Sequence, residues 1–108
     1  MAMLTEQEFR IRSDDALEDA RRAVLPLADA EAFEVEFQNG VLRIVFEEPY
    51  AGTFVISPNA PVRQVWVSAM ARSYKLAWAP DAQAFVLGGE TLSALIGRLA
   101  LAFLGGRA

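Results

Sequence analysis

A succession of strand-type segments between residues 33 and 78 constrains the fold more than any other feature of this chain. The segments are rich in β-branched and aromatic residues, and turn residues separate them. Asn39-Gly40 stands between the first two, and this dipeptide is the strongest short signal for a two-residue hairpin. Short connections favour antiparallel neighbours, so we predict a meander sheet. The predicted strands span residues 34–37, 41–46, 53–56, 64–68 and 73–78, and residues 85–87 can add a sixth.

An amphipathic helix is predicted before the sheet. Thr5 and Glu8 have the spacing of a capping box, which starts a helix at about residue 6. Pro26 is expected to end this helix at about Leu25, so that residues 26–32 form a linker. Apolar residues recur at spacings of three, four and seven and form one stripe that needs a partner surface. The stripe consists of Phe9, Ala16, Leu17, Ala20 and Val24.

A second helix is predicted from residue 91 to residue 104, and Gly105-Gly106 ends it. Its apolar face consists of Leu92, Leu95, Ile96, Leu99 and Phe103. The order of a helix, five or six antiparallel strands and a second helix predicts an α+β two-layer sandwich. Both helices cover one face of the sheet and leave the other face open, in a single domain over residues 1–108.

The composition excludes several kinds of chemistry. The chain has no cysteine and no histidine, which excludes disulfides, thiolate or imidazole ligands and Ser-His-Asp or Cys-His catalysis. The longest apolar run, from Leu99 to Leu104, is too short to span a bilayer. The first residues show neither the apolar stretch of a secretory signal nor the Arg-rich, acid-poor pattern of a mitochondrial presequence, so we expect neither kind of targeting segment. We therefore expect the cytoplasm for a bacterial chain, and the mitochondrial matrix only for a processed eukaryotic one.

Negative charge is concentrated in the first half of the chain. Residues 1–48 contain twelve acids and five bases, whereas residues 49–108 contain two acids and five bases. Net charges of −7 and +3 follow, and they give the overall −4. An acidic half repels phosphates, so nucleic acid is not an expected partner. A metal cation or a basic protein surface suits it better.

Carboxylates cluster on the face of the first helix opposite its apolar stripe. Positions four apart are neighbours on a helix, so these side chains are expected to form a ridge. The ridge consists of Asp14, Asp15, Glu18 and Asp19, and Asp29, Glu31, Glu34 and Glu36 extend the acidic surface towards the first strand. Oxygen-only ligands suit hard cations, and a rigid helix predicts weak affinity. The alternative interpretation is a solvated, ion-paired helix face, with Glu18 and Arg22 as one such pair.

Trp66 is predicted to lie on the open face of the sheet. Its neighbours Val65 and Val67 are better suited to the buried face, and strand alternation then directs Trp66 outwards. An exposed tryptophan on a flat sheet is a candidate anchor for a partner. Tyr74 and Trp78 are expected to be packing residues instead. The basic residues Arg63, Arg72 and Lys75 form either a patch for an acidic partner or scattered surface charge.

These residues resemble the frataxin family, specifically the short bacterial frataxin-like proteins, over about residues 5–104. The most specific part is Pro61-x-x-Gln64-x-Trp66-x-Ser68, followed by Tyr74-x-x-x-Trp78. The hairpin at residues 39–42, the segment at residues 52–56 and Gly-Glu-Thr-Leu at residues 89–92 also fit. This chain departs from the bacterial pattern where Arg21 and Arg22 replace acids, and where Ser57 replaces an asparagine.

The resemblance implies an iron-binding regulator or iron donor in iron–sulfur cluster assembly. It implies weak binding of Fe²⁺ or Fe³⁺ on the acids of the first helix and first strand, and docking on a cysteine desulfurase–scaffold complex. In the family, the docking surface includes the tryptophan of the sheet and the glutamine before it, and the resemblance assigns these roles to Trp66 and Gln64. The complete predicted partner surface consists of Ser57, Asn59, Arg63, Gln64, Trp66 and Arg72. The expected state is a monomer, with metal-dependent oligomers left open.

Two further hypotheses stay open. The first is a metal-independent module that binds proteins through the sheet face around Trp66. The second is an enzyme with weak ferroxidase-like activity, which the resemblance implies and in which paired carboxylates bind and oxidise iron. Nothing in the sequence indicates a buried di-iron site, and no catalytic residue is predicted, so we rank the enzyme last.

Overall fold

The computed structural model describes residues 4–31, 33–47 and 51–105. We number its elements in chain order. Their bounds are α1 Glu6–Glu31, β1 Glu34–Gln38, β2 Val41–Phe46, β3 Gly52–Asn59, β4 Gln64–Ala69, β5 Arg72–Ala79, β6 Ala84–Leu87, β7 Glu90–Thr91 and α2 Leu92–Gly105. A single 3₁₀ turn, Ala60–Val62, joins β3 to β4. The predicted linker position Ala32, the turn residue Pro49 and the helix-ending Gly106 lie outside the described residues.

The strands form one antiparallel sheet in the order β1 to β7, and this confirms the predicted meander. Asn39 and Gly40 have φ of 54° and 75°, as a two-residue hairpin turn requires, and Gln38 pairs with Val41 across them. In the part of the chain that the structure describes, the sheet has seven strands rather than five or six. The extra strand, β7, forms because Gly88-Gly89 makes another two-residue hairpin instead of leading directly into α2.

Helix α1 begins as predicted. The backbone N–H of Thr5 donates to Glu8 Oε1 at 2.9 Å, and the N–H of Glu8 donates to Thr5 Oγ1 at 3.1 Å. This capping box lowers the pKa of Glu8, mainly through the hydrogen bond from the Thr5 backbone. The buried face consists of Phe9, Ser13, Leu17, Ala20, Val24 and Ala28. The hydroxyl of Ser13 is satisfied by the carbonyl of Arg10 at 3.2 Å.

The predicted end of α1 at Leu25 is wrong, because the helix continues through Pro26 to Glu31. A proline inside a helix costs about 3 kcal/mol. Packing beyond it offsets this cost: Ala28 is buried, and its carbonyl accepts a hydrogen bond from the N–H of Phe33 at 3.3 Å. The ring of Phe33 packs against Phe46 with centroids 4.7 Å apart. Residues 26–31 are therefore helix rather than linker.

The core lies between the two helices and one face of the sheet, as predicted. Strand alternation directs Leu42, Ile44 and Phe46 to this face, and the same alternation runs through β3 to β6. Helix α2 contributes Leu92, Leu95, Ile96, Leu99 and Ala100. Within residues 4–31, 33–47 and 51–105, no helix covers the opposite face of the sheet. Among the described residues, neither helix is long and apolar enough to cross a membrane.

Candidate functional site

The indole of Trp66 lies on the open face of the sheet, with 36% of the residue exposed. Val65 and Val67, on either side of it, are 0% and 1% exposed and point to the helices. The expectation from alternation therefore holds for this strand. The direct neighbours of Trp66 across the ladder are Ser57 on β3 and Lys75 on β5.

Two polar side chains hold the indole in place. Its Nε1–H donates to Gln64 Oε1 at 2.9 Å, and Lys75 Nζ lies 4.9 Å from the ring centroid. A cation over an indole is an attractive contact. We call Ser57, Gln64, Trp66 and Lys75 the tryptophan face. Lys75 was not part of the predicted partner surface, and it joins this face because the β4–β5 turn sets the register.

The other predicted partner residues are distributed differently. Asn59 is opposite Gln64 at the end of β3 and extends the tryptophan face. Arg63 donates from Nε to the carbonyl of Leu4 at 3.1 Å and from Nη1 to the carbonyl of Ala60. Its guanidinium therefore fastens the segment before α1 to the 3₁₀ turn.

Arg72 is also separated from the tryptophan face. It lies opposite buried Ala69, so strand alternation assigns it to the helix side of the sheet, where it is exposed at the strand end. Arg63, Arg72 and Lys75 consequently do not form one basic patch.

The acids of α1 do not all have the same surroundings. Asp14, Asp15 and Asp19 are exposed. Glu18 is half-buried and accepts hydrogen bonds from Arg21 at 2.9 and 2.7 Å and from Arg22 at 3.1 Å. These contacts, led by the hydrogen bond from Arg21, lower the pKa of Glu18 to about 2.

The remaining predicted ligands lie beyond this ridge. Asp29 and Glu31 are exposed on the last turn of α1. Glu34 and Glu36 lie on the open side of β1, where Glu36 is directly opposite Arg43. The acids of β1 therefore lie on the open side of the sheet, whereas the acids of α1 lie on the side that the helices cover. Within the described ranges, no three carboxylates come together in a group that can hold a metal ion.

The geometry defines an α+β protein with two helices on a seven-stranded antiparallel sheet, an acidic helix and an exposed tryptophan on the bare sheet face. The family model for the frataxin-like domain matches residues 2–99. The chain therefore belongs to the frataxin family. No curated protein matches it. A solved frataxin from Psychromonas ingrahamii, described within the CyaY family, has a TM-score of 0.62 and 13% identity, over 96% of this chain and 93% of that one.

Proposed function

We propose that this protein is an iron-binding regulator or iron donor in iron–sulfur cluster assembly that docks on a cysteine desulfurase–scaffold complex. Membership of the frataxin family supports an iron-related role of this general kind. The observation that carries the docking half is the exposed indole of Trp66, held between Gln64 and Lys75 on the bare sheet. In a bacterium, this role belongs to the cytoplasm.

A held indole is well suited to a binding surface. Tryptophan is enriched among the residues that dominate binding energy, because it buries a large area with few rotatable bonds. The hydrogen bond to Gln64 and the contact with Lys75 restrict the Trp66 ring before a partner arrives. Less side-chain entropy is then lost on association.

The docking proposal is tested by measuring binding to a cysteine desulfurase with Trp66→Ala. We expect a loss of about tenfold or more, the scale of a central aromatic anchor. Leu101→Ala is the matched control, since Leu101 is 60% exposed but lies on α2, in the layer opposite the tryptophan face. Full binding by Trp66→Ala would contradict docking through this face.

The proposal that the protein binds iron rests on the exposed carboxylates of Asp14, Asp15 and Asp19. Carboxylate oxygens suit ferric iron and, less readily, ferrous iron. Side chains on one rigid helix cannot surround an ion, so most of its ligands would be water and the affinity would be low. Glu18 is already paired with two guanidinium groups and would join only by giving up those contacts.

Titration with ferrous or ferric iron, followed residue by residue by NMR, tests this half. We expect changes confined to residues 14–36, and a triple Asp14→Asn, Asp15→Asn, Asp19→Asn variant should lose most of them. Asp81→Asn is the control, because Asp81 is also an exposed acid but lies in the β5–β6 turn. An unchanged spectrum at millimolar metal would remove iron from the proposal.

A metal-independent binding module is the second candidate. The ion pairs of Glu18 with Arg21 and Arg22 favour it, because they occupy a carboxylate in the middle of the ridge. Desulfurase binding measured in excess chelator separates the two candidates. Unchanged binding supports the metal-independent module, whereas a requirement for iron supports the first proposal.

A further inference from the structure

A groove of about 380 Å³ lies between α1, the end of the β5–β6 hairpin and the start of α2. Three charged residues of α1 form one wall, and the rest of the lining is aromatic, aliphatic or polar. The residues used below are Arg12, Asp15, Asp19, Trp78 and Phe85. The volume is within the range of small-molecule sites in proteins. Nothing in the proposed function uses the groove as a whole.

The Trp78 indole in this groove already packs against a cationic side chain, that of Arg12. Phe85 packs edge-on against the ring with centroids 5.2 Å apart. The guanidinium of Arg12 lies 5.5 Å from the ring centroid. Within the part of the chain that the structure describes, no ion pair joins Arg12 to a carboxylate. Arg12 also acts on the carboxylate of Glu8, whose pKa it helps to lower. The indole of Trp78 is therefore a surface against which a planar cation already packs.

The adjacent carboxylates are left without a cation. Asp15 and Asp19 are four residues apart, so they project from the same face of α1 into the groove lining. Both are exposed, and neither is in an ion pair among the described residues. Two carboxylates and one guanidinium give the groove a net negative charge, which favours a cationic occupant.

We propose that the groove binds a small organic cation that carries a guanidinium or primary amine on an apolar stem. The head lies against Asp15 and Asp19, and the stem lies along the indole of Trp78, with Arg12 displaced from the ring. This proposal shares Asp15 and Asp19 with the proposed iron site but requires neither iron nor a desulfurase, so a test in excess chelator separates its failure from that of the proposed function.

The probe is n-butylguanidinium, and n-butylurea is its uncharged control of nearly equal shape. Both are titrated into the Trp66→Phe variant in chelator, so that Trp78 is the only indole that reports by fluorescence. We expect a saturable change with n-butylguanidinium and NMR shifts that centre on Asp15, Asp19 and Trp78. An equal response to n-butylurea would overturn the proposal.

Charge variants with matched controls locate the site. Asp15→Asn with Asp19→Asn should weaken binding by about tenfold, the scale of two exposed ion pairs. Asp14→Asn should leave it unchanged, because Asp14 does not line the groove. Arg12→Gln should strengthen binding by removing a competing cation, whereas Arg10→Gln, outside the groove, should not. Unaltered binding in the double variant, or weaker binding in Arg12→Gln, would contradict the proposal.

A last comparison separates a free cation from a side chain of a partner. A blocked Gly-Arg-Gly peptide carries the same head on a backbone that the groove has to accommodate. Binding more than about tenfold weaker than n-butylguanidinium supports a free small molecule. Equal or tighter binding of the peptide would assign the groove to a protein segment and overturn the small-molecule assignment. All of these substitutions are at exposed positions, and thermal unfolding checks that each variant is folded.

Discussion

Arg21 lies one turn beyond Glu18 on α1 and donates two parallel hydrogen bonds to its carboxylate, from Nε at 2.9 Å and from Nη2 at 2.7 Å. Arg22 adds a third from Nε at 3.1 Å. A two-pronged contact of this kind is the strongest geometry that an arginine offers to a carboxylate. The centre of the predicted acidic ridge is therefore an ion-paired cluster, flanked by the exposed acids Asp14, Asp15 and Asp19.

The titration of Glu18 gives the first prediction. Its pKa is lowered from 4.5 to about 2 in the folded protein, so its contribution to stability is complete above about pH 4.5 and disappears as the pH falls through about 2. As the pH falls from about 4.5 to about 2, the free energy of unfolding should therefore decrease less in Glu18→Gln than in the parent, as measured by urea unfolding. NMR titration of the carboxyl carbon should show the low pKa in the parent and a higher one in Arg21→Gln. A parent value near 4.5 would contradict the ion pair.

Releasing Glu18 should strengthen iron binding. In a variant with Arg21→Gln and Arg22→Gln, the freed carboxylate joins the exposed acids, and affinity should rise about threefold, the scale of one exposed ion pair. Arg10→Gln with Arg72→Gln is the control, since it changes the net charge equally but leaves the Glu18 contacts intact. Equal affinity of the two double variants, measured by calorimetry, would mean that Glu18 takes no part.

Pro26 should be a removable defect in α1. Its side chain is exposed, and it has no N–H to donate to the carbonyl of Arg22 four residues earlier. Pro26→Ala should raise the free energy of unfolding by about 1–3 kcal/mol. Pro80→Ala in the β5–β6 turn should have a much smaller effect, since no helix passes through it. An unchanged free energy of unfolding in Pro26→Ala would show that α1 accommodates the proline ring without cost.

The β4–β5 turn should be strained. Met70 and Ala71 have φ of 51° and 64°, a conformation that costs residues with a Cβ roughly 1–2 kcal/mol each. Replacing them with Asn-Gly should raise the free energy of unfolding by about 1–2 kcal/mol. The reverse exchange, Met-Ala in place of Asn39-Gly40, should lower it by a similar amount, because that turn has the same positive φ values. A destabilised Asn-Gly variant would contradict this account.

Local patterns were enough to predict most of the fold. Asn39-Gly40 fixed a hairpin because few residues tolerate two successive positive φ values. The alternation of Val65, Trp66 and Val67 predicted which side of the sheet each occupies, and the apolar stripe of α1 is buried apart from Ala16, which is half-buried. In each of these cases, the deciding interaction lies within a few residues of the pattern.

What the sequence did not reveal depends on contacts distant in the chain. The continuation of α1 past Pro26 depends on packing of Ala28 and Phe33. Lys75 lies over Trp66 because a Met-Ala turn sets the register, and that dipeptide has no hairpin signature. The engagement of Arg63 with the carbonyl of Leu4 joins positions 59 residues apart. The groove beside Trp78 is assembled from five separate elements, α1, β5, β6, β7 and α2, and has no local sequence pattern.

The most direct test of the central claim is the rate of iron–sulfur cluster formation by a cysteine desulfurase and scaffold, with and without this protein. We predict that the protein changes this rate, and that Trp66→Ala removes most of the change while Leu101→Ala retains it. An identical rate with and without the protein, or a full effect from Trp66→Ala, would contradict the proposal that the tryptophan face docks on the assembly complex.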